Sequence, residues 1–228
     1  MTVNPCVPRP EPTASTPLAS TAQLVVWLAA QLLILIIAAA RVPLAARYPE
    51  PAEQLAPQLL LCGQVIAASL LFPWLLRDIR TTAQVLVTAL PFQLGAAFLS
   101  GISVREIAPS IGYVDGFLVA LAIWSPLLRQ SLAQSIGVVL ASCLTLGGGM
   151  LRYLRVEYSG GRGEAVPHAW ETVTPLPSTL HALTGQAPVG GWVLMAVLAV
   201  AGIAIRLTRR RRNGVERENP QRINDSRV

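Results

Sequence analysis

Asp115 is the one charged residue inside six long apolar blocks, which cover residues 22–40, 55–76, 82–104, 110–128, 131–151 and 189–205. A carboxylate among apolar helices can hold a proton or a cation. Counted from Ser110 it lies about 8 Å inside the outer edge of its block at 1.5 Å per residue. That depth predicts an interfacial carboxylate reaching water, with a proton or cation site as the sharper alternative. Gln23, Gln31, Gln64, Gln93 and Gln134 are spread over four of the other blocks. Their amides can line a polar path, or simply bond helix to helix for roughly 0.6–2 kcal/mol each. The candidate intramembrane polar set is therefore Gln31, Gln64, Gln93, Asp115 and Gln134.

Most other chemistry is excluded by residue type. The chain has eighteen basic residues, all arginine. Without lysine there is no GxxxxGK[ST] phosphate loop and no Schiff-base amine. If nucleotide powers transport here, a separate ATPase must bind it. Both histidines, His168 and His181, fall outside the apolar blocks, where they cannot be axial ligands of a membrane-embedded haem. With Glu171 they match no zinc spacing, so neither metal nor cofactor is expected. Cys6, Cys62 and Cys143 are too scattered for a disulfide framework. Gly101-Ile102-Ser103 resembles part of a membrane serine-protease motif, but it lacks the following glycine and no later block holds a histidine base. The expectation is a protein that is not an enzyme.

The elements that must position these residues follow from the same blocks. About 20 apolar residues cross a hydrocarbon core as a helix, so the fold class is all-α: a polytopic membrane protein with six transmembrane helices. Residues 1–21, with prolines at 5, 8, 10, 12 and 17, read as a disordered leader. The first block is too long for a signal-peptide core and is read as retained. Very short polar corners make the second and third blocks, and the fourth and fifth, antiparallel neighbours. Phe72-Pro73-Trp74-Leu75-Leu76-Arg77 is echoed by Trp124-Ser125-Pro126-Leu127-Leu128-Arg129, which places an aromatic residue of an interfacial belt before each corner. Pro91 and Gly95 predict a kink in the third block. Residues 152–188 form a long polar loop and 206–228 an Arg-rich tail.

Arginines at 206, 209, 210, 211 and 212 put the C-terminus in the cytoplasm by the positive-inside rule, and six spans bring the N-terminus to the same side. This cluster is read as a topology anchor, and no nucleic-acid partner is expected. The implied location is the cell inner membrane. Small residues recur every fourth position at Gly112, Gly116 and Ala120, and at Ala133, Gly137, Ala141, Thr145 and Gly149. Such stripes let helices approach closely, so the fourth and fifth spans are expected to pack on each other or on the equivalents in a partner. Arg77, Asp78 and Arg80 form a candidate partner corner.

Six spans, cytoplasmic ends, short inner corners and a long outer loop before the last span together resemble the layout of exporter-type ABC permeases. The likeness covers the whole chain as a layout and carries no motif. It implies a permease-type transport subunit energised by a cytoplasmic ATPase that meets the Arg77–Arg80 corner. The alternative is a non-catalytic structural or assembly component, docking through its small-residue stripes to other membrane subunits or to further copies of itself.

Overall fold

The structure, a computed structural model, describes residues 17–45, 55–128, 130–158, 173–183, 185 and 188–218. Among them the chain is all-helical: α1 (Pro17–Ala45), α2 (Leu55–Leu75), α3 (Ile79–Leu99), α4 (Val104–Trp124), α5 (Ser131–Tyr158), α6 (Pro175–Leu183) and α7 (Val189–Glu218), with a 3₁₀ turn at Ser125–Leu127. Six of the seven, all but α6, are long and apolar enough to cross a membrane.

The burial pattern has the sense that a lipid solvent demands. On α1 the buried positions include Gln23, Trp27 and Gln31, one helical turn apart, while Val25, Val26, Leu32, Leu33, Ile36 and Ile37 are exposed. In water that arrangement would be inside out. In hydrocarbon, polar groups gain by facing other helices and aliphatic groups lose nothing at the surface.

α2 is the hub. It packs on α1, α3, α4, α5 and α6, and half of its apolar window is buried, more than in any other span. Its Leu61, Val65, Ala68, Phe72 and Leu75 build the core with Trp27 of α1, Val85 and Ala89 of α3, and Tyr113, Val114, Phe117 and Leu118 of α4.

Several boundaries differ from expectation, each for a local reason. α1 begins at Pro17, because proline at the first helical position has no hydrogen bond to lose. Residues 17–21 are thus helical rather than leader, and 1–16 lie outside the described residues. Ile79, Arg80 and Thr81 belong to α3 rather than to the corner before it. α4 begins at Val104 instead of 110, since Ser103 and Glu106 form a capping box in which the Ser103 N–H donates to the Glu106 carboxylate at 3.2 Å. The charged pair Arg105-Glu106 therefore starts the helix instead of interrupting it. The chain turns just before, at Gly101, whose φ of 67° suits glycine. α3 runs through Pro91 and Gly95 as one unbroken helix.

The expected outer loop and tail are also partly helical. α5 continues to Tyr158 and α7 to Glu218. Between them α6 packs against α2, α4 and α5, with Ser178, Thr179 and Ala182 buried. Its prolines, Pro175 and Pro177, sit in the first turn, where they cost little. Thr179 also spends its hydroxyl on the Pro175 carbonyl at 2.8 Å.

Candidate functional site

Four helices meet at a buried chain of polar side chains. The Gln64 Nε2 of α2 donates to Gln31 Oε1 of α1 at 2.6 Å. Gln93 Nε2 of α3 donates both to Gln64 Oε1 at 2.9 Å and to Asp115 Oδ1 of α4 at 3.3 Å. Gln31, Gln64 and Gln93 are fully buried. Asp115 is half-buried. The structure thus joins four of the five residues proposed as an intramembrane polar set. The fifth, Gln134, lies elsewhere.

Depth is what distinguishes this chain. Gln31, Gln64 and Asp115 fall at the middles of the candidate spans Thr21–Ala39, Ala56–Leu75 and Val104–Leu127, and Gln93 one turn from the middle of Ile79–Leu99. Starting α4 at Val104 puts eleven residues ahead of Asp115, or about 16 Å at 1.5 Å per residue. The carboxylate therefore lies at the middle of its helix rather than five residues from its start. The chain also keeps unused capacity. Among the described residues, Gln31 Nε2, Gln93 Oε1 and the indole N–H of Trp27, one turn from Gln31, are buried without a hydrogen-bond partner. Each such orphan costs roughly 1–3 kcal/mol unless a water or solute satisfies it.

The ends of the spans handle polarity differently. Gln23 Nε2 donates to the Trp74 carbonyl at 2.6 Å, which brings the start of α1 to the end of α2. Pro126 has no N–H for the Ala122 carbonyl four residues back, and Arg206 Nη2 of α7 donates there at 3.1 Å. Arg209 reaches the Leu127 carbonyl at 3.4 Å. The arginine cluster read as an anchor thus also caps the end of α4, where cations suit the helix dipole.

The two echoed segments face each other at this end. A cavity of about 300 Å³ is lined by Pro73, Trp74 and Arg77 from one, Ser125 and Pro126 from the other, and Gln134 of α5. Trp74 is exposed as an interfacial residue would be, whereas Trp124 turns inward and donates to the Leu198 carbonyl at 3.0 Å. Arg77, Asp78 and Arg80 are exposed, and between them Ile79 is 90% exposed.

The stripes are filled by this chain's own helices. α4 and α5 do not pack on each other as expected, since α4 lies against α2, α3, α6 and α7, and α5 against α2 and α6. A side chain added at Gly116 would meet Trp192 and Met195 of α7. Gly137 lies against Leu128, and Gly149 faces Leu176 of α6. Ala141 is half-buried against the core and Ala133 is half-buried, while Ala120 is buried. Thr145 shares a 2.7 Å hydrogen bond with the Ser69 hydroxyl of α2. Only Gly112 is exposed with nothing near it.

Sequence reasoning missed Ser69, Arg206 as a cap, and α6. The missing N–H of Pro126 was the one signal that a carbonyl donor had to come from elsewhere. Cys6, Arg129, His168 and Glu171 lie outside the described residues, and His181 belongs to α6. The described residues hold no group of three or more metal-ligating side chains. Comparison with models of protein families, with curated proteins and with solved structures finds no match in any of the three.

Proposed function

We propose that this multi-pass membrane protein is the membrane-embedded subunit of a transport system for a small polar or cationic solute, energised by a separate partner. The observation that carries this reading is the Gln31–Gln64–Gln93–Asp115 chain at mid-span. A carboxylate and three amides cost desolvation energy there and return interhelical bonds averaging only ~0.6 kcal/mol in a membrane. Unsatisfied donors and an acceptor beside them suit a passing solute. The Arg77–Asp78–Ile79–Arg80 corner offers a partner two cations and a projecting apolar side chain. Under the docking alternative, the small-residue stripes should be open to a partner. Own-chain contacts at Gly116, Gly137, Thr145 and Gly149 weigh against it.

The test is mild-detergent purification from the native membrane, then reconstitution with whatever co-purifies. The expected result is a stoichiometric cytoplasmic ATPase that is lost on replacing Ile79 and Arg80 and whose hydrolysis is uncoupled by Asp115→Asn. Recovery of membrane subunits alone, with no energising partner, would contradict the transport reading and favour docking.

A further inference from the structure

We propose that the cavity between the two hairpin corners is a binding site for a phosphate group, carried by an anionic phospholipid headgroup or by free phosphate. The cavity, at about 300 Å³, has the size of a small ligand pocket. Its lining joins one guanidinium, Arg77, to the amide of Gln134 and the hydroxyl of Ser125, and no carboxylate lines it among the described residues. Arginine's planar fork of donors matches phosphate oxygens and holds its charge at any physiological pH. The Ser125 hydroxyl donates to the Pro73 carbonyl at 3.4 Å, a long bond that leaves it able to turn toward an incoming acceptor.

The position adds to the chemistry. The cavity sits where α2 ends and α5 begins, at the ends of the candidate spans Ala56–Leu75 and Ser131–Leu151. Headgroup phosphates lie at that level of a bilayer. The exposed indole of Trp74 suits the same boundary. A second cation, Arg209, bonds to the carbonyl of Leu127, the residue that follows Pro126. Proline supplies two of the walls, and Pro73 and Pro126 bring no backbone N–H to the site. This inference is independent of the transport reading, because the site would serve a docking component equally.

The experiment uses the full chain in phosphatidylcholine nanodiscs with and without phosphatidylglycerol, and reads retained lipid by native mass spectrometry. Wild type is expected to retain phosphatidylglycerol selectively. Arg77→Gln should lower retention about fivefold, the ~1 kcal/mol that one arginine contributes near an anionic surface. Gln134→Leu, which removes a hydrogen-bonding group but no charge, should lower it about threefold, and it keeps the test informative if Arg77→Gln fails to fold. Arg105→Gln, at the opposite end of the bundle, should leave it unchanged. Inorganic phosphate that competes the lipid off identifies a site open to either source; failure to compete restricts it to the lipid. Equal losses for Arg77→Gln and Arg105→Gln, or retention unaltered by both Arg77→Gln and Gln134→Leu, would overturn the proposal.

Discussion

Polar side chains serve two different purposes at the two levels of this bundle. At the arginine-bearing end they bond to backbone: Gln23 to the Trp74 carbonyl, Ser125 to Pro73 and Arg206 to Ala122. Helix ends and prolines leave carbonyls without donors, and low dielectric makes each one costly, so a side chain must come. At mid-span Gln31, Gln64, Gln93 and Asp115 bond to one another. No backbone group requires them there. A polar chain that the backbone does not need is surplus to folding, and that surplus is the reason for assigning it to function.

The largest loss is expected where α7 meets the end of α4. Gly202 of α7 lies so close to Ile123 and Trp124 that an added Cβ would sit 2.7 Å from Ile123 Cγ2. Gly202→Leu should therefore cost ~3 kcal/mol through overpacking, read as unfolding free energy in detergent, and should separate α7 from α4. Gln64→Leu should cost about 2 kcal/mol by stranding Gln31 and Gln93 together. A loss near zero would mean that the chain is not formed. Arg206→Gln is expected to cost about 1 kcal/mol, since the shorter side chain leaves the Ala122 carbonyl bare. Asp115→Asn should be the mildest for stability, within ~0.5 kcal/mol, because an amide can still accept from Gln93. Its effect belongs in transport-coupled turnover. A stability loss as large as that of Gln64→Leu would move Asp115 into the structural class and erase the contrast.

Much of this was legible in the chain, for reasons that also mark where legibility stops. Block length alone identifies six spans, because hydrocarbon thickness sets it and no partner is needed to read it. The polar members were visible as residue types in the wrong solvent. Their meeting was not, because it depends on α2 lying at the centre, and no periodicity in one helix reports which neighbour its face will find. The start of α4 was read six residues late because Arg105, Glu106 and Pro109 look like a break, whereas Glu106 closes a capping box in the first turn and the helix runs on through Pro109. Members of the α4 and α5 stripes face α7, α2 and α6, neighbours that the spacing of small residues does not name. α6 itself, nine residues with two prolines inside a polar stretch, carries too weak a pattern to be separated from loop.

The most direct measurement is thiol reactivity at position 115. With Cys6, Cys62 and Cys143 replaced by alanine, Asp115→Cys and Val119→Cys chains in liposomes would be exposed to a small cationic methanethiosulfonate reagent. Val119 lies one turn along α4 at an exposed position. A polar path at mid-span predicts that the thiol at position 115 is modified and the thiol at position 119 is not, and that Gln93→Leu slows the reaction. Equal inertness of the two thiols would place the polar chain in dry hydrocarbon, as interhelical glue, and contradict the transport assignment.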